Sequence, residues 1–192
     1  MRPFVLASTS PRRQALLREA GFAFAVVAPD VDESALPDES PESLARRLAL
    51  AKARAALPSV SPDACVLAAD TVVAIDGVLL GKPCDEAEAV EMLLRLAGRT
   101  HRVLTGFALL VPALGVEEVG VVESAVRMHA VDRPTAERYA ATGEPLDKAG
   151  GYAAQGEGGR FVAEIRGSRS NVIGLPLESV TPRLAEVEVV PR

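Results

Sequence analysis

Cysteine and histidine are scarce in this sequence, and their spacing excludes the sites that they usually build. The two cysteines, Cys65 and Cys84, are too few for a disulfide framework and lack the paired spacing of a zinc site. The two histidines, His101 and His129, stand too far apart to suggest a metal pair, and we expect both on strand surfaces. A reducing cytosol is therefore the expected location.

The sequence also lacks a long apolar run and an excess of positive charge. The longest apolar run, residues 103–116, contains Gly106 and Pro112 and is shorter than the roughly 20 residues of a membrane-spanning helix. Residues 1–13 do not resemble a secretory leader, because their short apolar run ends in a Ser-Pro-Arg-Arg turn. With 21 basic and 26 acidic side chains, the net charge is -5, so we expect no nonspecific binding to nucleic acid and no membrane partner. Any anionic ligand must be bound by local cations.

Helical and strand patterns alternate along the 192 residues and predict an α/β protein with a mixed sheet. Serine-proline pairs at Ser10 and Ser40 are typical helix starts, and valine-rich apolar runs between the helices are typical of strands. The predicted strands cover residues 3–7, 22–27, 66–75, 78–80, 103–111, 119–130 and 161–165. The predicted helices cover residues 11–20, 41–57, 85–97, 134–142 and 171–186, the last weakened by two prolines.

Residues 8–13, of sequence STSPRR, stand at the first strand-to-helix junction. They offer three hydroxyl groups and two guanidinium groups where free backbone N–H groups and the helix dipole already favour an anion. The segment therefore predicts a phosphate site that includes Ser8, Arg12 and Arg13. A capped surface helix with two solvated arginines explains the same residues, and this motif alone does not decide between the two interpretations.

Asp70 interrupts an almost continuously apolar strand. A carboxylate is costly to bury unless it meets a cation, a metal ion or several hydrogen-bond donors, so a functional role is favoured over a structural one. Glu33, in the acidic loop of residues 28–36, is a candidate second carboxylate beside Asp70. From the residues alone, a solvated loop position explains Glu33 better.

Two lysines are further candidates for phosphate contacts, although either is equally explained as an ordinary surface residue. Lys52 lies beside small residues of a predicted helix, and Lys82 stands between a glycine and a proline. Residues 77–82 are not a P-loop, because three residues rather than four separate the glycines and a proline follows the lysine. The glycine-rich residues 150–159 do not follow a strand and open a helix with dinucleotide-binding spacing. Neither nucleotide motif is therefore present.

A series of short segments occurs in a characteristic order over nearly the whole chain. They are LASTSPRR at residues 6–13, Glu33, AKA at 51–53, ADTV at 69–72, GKP at 81–83, GRTHRVLTG at 98–106, DKAGGYAAQG at 147–156 and GSRSNVIGLPL at 167–177. One such fragment is weak evidence, but the ordered series is highly specific. It resembles the Maf family of nucleotide pyrophosphatases, also called septum formation inhibitor proteins.

The resemblance implies hydrolysis of nucleoside triphosphates between the α and β phosphates with a divalent cation, Mg²⁺ or Mn²⁺. It implies one domain over residues 1–192, with an elongated twisted mixed sheet flanked by helices and a central cleft between two lobes, similar to inosine triphosphate pyrophosphatases. It also implies a homodimer. The site residues implied by position are the catalytic residues Asp70, Lys52 and Lys82, the metal ligands Asp70 and Glu33, and the substrate-binding residues Ser8, Arg12, Arg13, Thr71 and Gln155.

Gln155 is the candidate for base selection. One carboxamide accepts from N3–H and donates to O4 of uracil or thymine, whereas cytosine reverses this pattern and guanine offers a similar edge. Family members that prefer 7-methylguanosine triphosphate differ at the positions of Arg12, Thr71 and Gln155, so the resemblance is to the dTTP/UTP branch. Two other hypotheses stay open here: a nucleotide-sensing regulator of cell division that binds without turnover, and a purine pyrophosphatase of the inosine triphosphate type.

Overall fold

The computed structural model describes residues 2–191 and confirms an α/β fold with a mixed sheet flanked by helices. The strands are β1 (Phe4–Leu6), β2 (Ala25–Val26), β3 (Cys65–Ile75), β4 (Val78–Leu80), β5 (Thr100–Val111), β6 (Val116–Met128) and β7 (Val162–Arg166). The α-helices are α1 (Pro11–Glu19), α2 (Pro41–Ala56), α3 (Glu86–Leu96), α4 (Arg133–Ala140), α5 (Arg169–Ile173) and α6 (Leu177–Glu186). Within residues 2–191, none of the helices combines the length and apolar character needed to cross a membrane.

All seven strands belong to one sheet with the order β2-β1-β3-β5-β6-β7, and β4 pairs with β3 beside this path. β1 is parallel to β2 and β3, whereas β4 is antiparallel to β3 and β7 is antiparallel to β6. Leu6 pairs with Leu67, so β1 ends beside the third residue of β3. Ser8 and Asp70 therefore follow this pair in the same direction along the sheet.

The chain forms two compact units. The first contains the residues up to Thr71, Thr105–Val122 and the residues from Gly174 onward, and the second contains Val72–Leu104 and Glu123–Ile173. A cluster of alanine and valine side chains from β1, α2 and β3 fills much of the first core. Larger side chains, including Leu93, Tyr139 and Phe161, fill the second. The interpretation of residues 1–192 as a single domain stays a prediction.

Serine side chains cap the starts of the first two α-helices, as the Ser-Pro pairs predict. The Ser10 hydroxyl accepts a hydrogen bond from the Arg13 backbone N–H at 3.5 Å, and the Ser40 hydroxyl accepts one from Ser43 at 3.2 Å. In both helices the proline follows at the first turn, where its missing N–H costs no helical hydrogen bond. These caps fix where α1 and α2 begin.

The strand β5 approaches the helix α2 closely at Gly106. A Cβ atom added at Gly106 would lie 2.1 Å from the carbonyl oxygen of Ala45, which is shorter than any van der Waals contact. The absence of a side chain at Gly106 therefore allows the backbone of α2 to lie directly on β5. This contact holds α2, which carries Lys52, against the sheet.

The prediction of one helix over residues 171–186 is wrong, because the segment forms two helices, α5 and α6. The helical conformation is interrupted at Gly174, whose φ of 131° lies outside the range that L side chains readily adopt. Pro176 then stands at the start of α6, and Pro182 lies inside that helix. The break at Gly174 places its carbonyl oxygen beside α1, where it accepts a hydrogen bond from Arg13.

His101 does not lie on a strand surface as predicted, because its side chain is 1% exposed. Its Nε2 atom lies 2.7 Å from the hydroxyl of Tyr152, which is also buried. Burial lowers the pKa of His101 to about 4, so the imidazole is neutral near neutral pH. His129 is exposed and follows the end of β6. The pair of His101 and Tyr152 is thus a polar element of the second core.

Candidate active site

Asp70 and Lys52 form a buried ion pair in the first unit. Asp70 belongs to β3, Lys52 belongs to α2, and the Lys52 Nζ atom lies 2.5 Å from Asp70 Oδ1. The side chains are 10% and 9% exposed, respectively. The carboxylate that interrupts the apolar strand therefore has a cationic partner, and the lysine that the sequence left as a candidate surface residue is buried.

Glu33 completes a three-residue cluster with this pair. Its Oε1 atom lies 2.6 Å from the same Lys52 Nζ atom, although its side chain is 45% exposed. Two carboxylate oxygens, one from Asp70 and one from Glu33, therefore lie within hydrogen-bond distance of one ammonium group. Glu33 and Asp70 thus share one partner, as expected of a second carboxylate beside Asp70, while the exposure of Glu33 also agrees with a solvated loop position.

Burial determines the protonation of Asp70. Desolvation raises its pKa above the ordinary value, while Lys52 and Arg13 lower it in part. A carboxylate with a raised pKa is a better proton acceptor than an exposed aspartate, whose pKa is about 4. The environment of Asp70 therefore suits a general base.

The acidic loop that contains Glu33 is held in place by an ion pair that the sequence did not reveal. Arg47 of α2 donates to both carboxylate oxygens of Glu39, at 2.7 and 2.8 Å, and to the carbonyl oxygen of Ser34 at 2.9 Å. The guanidinium holds the pKa of Glu39 at about 2, so Glu39 stays ionised. Because Ser34 follows Glu33 directly, this clamp restricts the position of the second carboxylate.

Arg13 organises a second cluster at the start of α1. Its guanidinium donates to the Ser8 hydroxyl at 3.1 Å, the Thr71 hydroxyl at 3.2 Å and the Gly174 carbonyl at 2.8 Å. Ser8 is buried, and its hydroxyl also accepts from the backbone N–H of Ser10 at 3.3 Å. Three predicted substrate-binding residues, Ser8, Arg13 and Thr71, are therefore in direct contact.

The second cluster contains two groups that the sequence reasoning did not single out. Thr105 is fully buried, and its hydroxyl lies 2.9 Å from that of Thr71. The carbonyl of Gly174 fixes Arg13 from the opposite end of the chain. Both residues lie inside segments that carry the family resemblance, GRTHRVLTG and GSRSNVIGLPL. Their position in these segments is the sequence feature that could have identified them as site residues.

Arg12 lies beside this cluster, at the partly exposed first turn of α1. Desolvation by burial lowers the pKa of Arg13, and the positive charge of Arg12 lowers it further. Two adjacent guanidinium groups and the N-terminal end of α1 are thus present at one place, which favours an anion. The phosphate site at residues 8–13 stays a prediction.

The two remaining predicted site residues, Lys82 and Gln155, belong to the second unit. Lys82 is exposed in the segment after β4, and the carbonyl of the preceding Gly81 accepts a hydrogen bond from the Gly150 N–H at 3.0 Å. Gln155 is exposed in the loop between Tyr152 and Glu157. In the second unit, Lys82 thus adjoins the glycine-rich segment that also contains Gln155.

The carboxylates of the first unit suit a divalent cation that shares its ligands with a substrate. Mg²⁺ in phosphate-handling sites is held by one or two carboxylates plus phosphate oxygens and water, and Asp70 and Glu33 are two such carboxylates. Across residues 2–191, no group of three or more His, Cys, Asp or Glu side chains is arranged to hold a metal ion. Asp70 and Glu33 are therefore the two carboxylates of this site that could hold such a cation.

The fold and the two clusters define an α/β protein with a buried carboxylate–lysine pair and, beside it, guanidinium and hydroxyl groups of the kinds that phosphoryl chemistry uses. The family model described as "Maf-like protein" matches residues 3–187. The chain belongs to the Maf family, which confirms the resemblance deduced from the sequence.

Several relatives in this family align over most of the chain. A dTTP/UTP pyrophosphatase of Desulfotalea psychrophila is 47% identical over 98% of this chain and 96% of its own length. One of Symbiobacterium thermophilum is 49% identical over 97% of this chain and 94% of its own length. Among solved structures, a HAM1 protein from Coxiella burnetii matches 67% of this chain and 73% of its own at 18% identity, with a TM-score of 0.45, which is too distant to support an argument.

Proposed function

We infer that the chain is a nucleoside triphosphate pyrophosphatase that hydrolyses dTTP and UTP to the monophosphate and pyrophosphate. The observation that supports this most directly is the buried pair of Asp70 and Lys52 with Glu33 beside it, in a chain whose relatives at 47% and 49% identity are named dTTP/UTP pyrophosphatases. Such a cluster pairs a desolvated proton acceptor with a cation, as hydrolysis of a phosphoanhydride requires.

Asp70 is the proposed general base. It takes a proton from a water molecule whose oxygen forms a bond to the α-phosphorus, while the bond from that phosphorus to the α–β bridging oxygen breaks and pyrophosphate leaves. Lys52, already 2.5 Å from Asp70, is the catalytic cation that balances the charge of this carboxylate. The raised pKa of Asp70, caused by burial, makes this carboxylate a better proton acceptor.

Phosphate binding is assigned to the cations and hydroxyls that adjoin this cluster. Arg13 is oriented by three hydrogen bonds and presents a guanidinium of fixed geometry, as bidentate phosphate recognition requires. Ser8, Arg12 and Thr71 complete the proposed substrate-binding set in the first unit. Lys82 is the proposed catalytic cation in the second unit, where it neutralises negative charge on the leaving pyrophosphate.

Mg²⁺ or Mn²⁺ is the proposed cofactor, with Asp70 and Glu33 as its protein ligands. When bound, the cation supplies Lewis acidity toward the oxygens of the triphosphate. Lys52 contacts both carboxylates, so it holds them at one place before any cation arrives.

Base selection is assigned to Gln155, with Arg12 and Thr71 as the accompanying residues of the dTTP/UTP branch. We also propose that the protein is cytoplasmic, binds neither nucleic acid nor membrane, and forms a homodimer. The two unpaired cysteines support the cytoplasmic location. The net charge of -5 supports the absence of nonspecific binding to nucleic acid.

Pyrophosphate release from a panel of triphosphates with Mn²⁺ tests the proposed function. We expect release from dTTP and UTP by the wild-type chain, and a loss of about a thousandfold in the Asp70→Asn variant. Asp63→Asn is the matched control, because Asp63 is an exposed residue of the first unit whose side chain is not assigned to the site. Release from ITP alone contradicts the base assignment, and release from no substrate favours nucleotide binding without turnover.

A further inference from the structure

The loop that carries Gln155 is clamped on both sides by side chains that the proposed reaction does not use. On one side, the buried hydroxyl of Tyr139 accepts a hydrogen bond from the Ala153 backbone N–H at 3.1 Å. On the other side, the Glu144 carboxylate accepts one from the Glu157 N–H at 3.1 Å and one from the Gly158 N–H at 3.4 Å. Only residues 154–156 lie between the two anchors.

Close packing leaves this loop little freedom. A Cβ atom at Gly158 would lie 2.5 Å from the Tyr139 hydroxyl, and one at Gly156 would lie 2.8 Å from Oε1 of Glu144. Gly156 has φ of 78° and ψ of -151°, a conformation that is essentially restricted to glycine. The loop is therefore shaped around the Tyr139 hydroxyl and the Glu144 carboxylate, while Gln155 between them is exposed.

Glu144 is itself fixed in the second unit. It begins the 3-10 helix Glu144–Asp147, its backbone N–H donates to the Thr142 hydroxyl at 3.2 Å, and its carbonyl accepts from Lys148 Nζ at 2.7 Å. A carboxylate that accepts two backbone N–H groups forms charge-assisted hydrogen bonds, which are stronger than neutral ones. Its position at the end of the Gln155 loop is thus determined by its own helix.

We propose that Glu144 is a positioning residue for base selection: its carboxylate holds the backbone at Glu157 and Gly158, and so fixes the position from which the Gln155 side chain reaches a uracil or thymine edge. This inference rests on the proposed function, in which Gln155 contacts the base. A side chain that extends from a fixed backbone position loses less conformational freedom when its carboxamide orients on the base. Loss of the clamp therefore weakens the contact by which Gln155 distinguishes uracil or thymine from cytosine.

The Glu144→Gln variant tests the clamp with little change of shape. Its amide keeps one acceptor oxygen but turns an NH₂ group toward one of the two backbone N–H donors, so one hydrogen bond is lost. Glu157→Gln is the matched control, because it removes the same charge from the same loop while the backbone N–H of residue 157 is unchanged. Gly156→Ala disturbs the clamp from the loop side and serves as a second variant.

Two measurements that do not require turnover are made on each variant. Backbone hydrogen exchange of residues 153–158 reports the order of the loop. Calorimetry with the α,β-imido analogues of dTTP and dCTP, in the presence of Mg²⁺, gives the preference for one base over the other. Binding of tripolyphosphate, which has no base, reports general damage to the site.

For Glu144→Gln and Gly156→Ala we expect faster exchange and a preference for the dTTP analogue reduced about tenfold, with tripolyphosphate binding unchanged. The Glu157→Gln control should keep the wild-type values. The proposal is overturned if hydrogen exchange of the loop is unchanged in both variants, or if exchange is faster while the preference for the dTTP analogue is unchanged. It is also overturned if the wild-type chain does not prefer the dTTP analogue over the dCTP analogue. A wild-type chain that prefers the dTTP analogue but releases no pyrophosphate from dTTP refutes the proposed hydrolysis and leaves this inference standing.

Discussion

Lys52 balances two carboxylates with one charge, and the electrostatics of the first unit depend on it. Its ammonium contacts Asp70 at 2.5 Å and Glu33 at 2.6 Å. Removing one partner of a buried ion pair leaves the other charge without compensation, which destabilises the ionised form of that group. Lys52 therefore influences both the structure of the cluster and the protonation of Asp70.

We predict that Lys52→Met reduces kcat by about a hundredfold and moves the acidic limb of the pH profile upward. Burial raises the pKa of Asp70, and Lys52 is the largest of the effects that lower it, so its loss raises that pKa further. A base with a higher pKa is protonated, and thus inactive, up to a higher pH. Steady-state rates of pyrophosphate release between pH 5 and 9 measure the shift.

Lys52→Arg is the informative control for that experiment, because it keeps the positive charge but changes the geometry. We expect it to lose activity with a much smaller displacement of the acidic limb. An acidic limb that stays in place in Lys52→Met would show that Asp70 is not the group whose ionisation controls the rate. Circular dichroism of each variant confirms that the fold is intact.

At the level of single residues, the sequence revealed the unusual side chains better than their partners. The burial of Asp70 follows from its apolar neighbours on β3, and the structure agrees. That its neighbour is Lys52, 18 positions away along the chain, depends on how α2 packs on the sheet, which no local pattern encodes. The contact of Arg13 with Gly174 spans 161 positions, so it depends still more on the tertiary fold.

The position of α2 on β5 is determined at the level of secondary-structure elements, and Gly106 is the residue that permits it. Any side chain at Gly106 would overlap the backbone of α2 near Ala45. Backbone atoms in a helix cannot move aside as the end of a flexible side chain can. Relief of the overlap therefore requires α2, with Lys52, to move away from the sheet.

We predict that Gly106→Ala lowers the free energy of unfolding by about 3 kcal/mol, the upper part of the usual range for overpacking. Activity should fall as well, because Lys52 would leave its position beside Asp70. Gly81→Ala is the control, since a Cβ atom at Gly81 has no neighbour within 4 Å and the residue has no positive φ. Urea denaturation of both variants measures the difference, and equal stabilities would contradict the close approach.

Local signals predicted most of the elements, and the exceptions have physical explanations. The two serine-capped helices and the hairpin after β3 follow from their caps and from the Asp76-Gly77 turn. Strand β2 is shorter than predicted, Ala25–Val26 within residues 22–27, since strand length is set by pairing with β1 rather than by composition. The separation of α5 from α6 depends on the backbone conformation of Gly174. The sequence alone does not show which φ angle an isolated glycine adopts, so it did not predict this separation.

On the scale of the whole molecule, the charge distribution explains how a chain with a net charge of -5 can bind a polyphosphate. Many of the basic side chains form surface ion pairs, such as Arg54 with Glu117 and Arg102 with Glu123. Such pairs contribute little to stability and reduce the positive potential outside the site. Attraction of a triphosphate therefore depends on local groups such as Arg12 and Arg13, with their helix N-terminus, and on the accompanying cation.

Ligand-dependent stabilisation of the intact chain tests this account of shared binding. A ligand that binds only the native state at 100 times its Kd stabilises it by about 2.7 kcal/mol. We predict an increase of the thermal midpoint with α,β-imido-dTTP and Mg²⁺ together, and a much smaller one with either alone. The reason is that Asp70 and Glu33 both contact Lys52, and within residues 2–191 no third carboxylate, histidine or cysteine joins them to hold the cation. Differential scanning fluorimetry measures the midpoints. A full increase with Mg²⁺ alone would show that the protein binds the cation without the nucleotide. A full increase with the analogue in EDTA would show that the nucleotide binds without the cation.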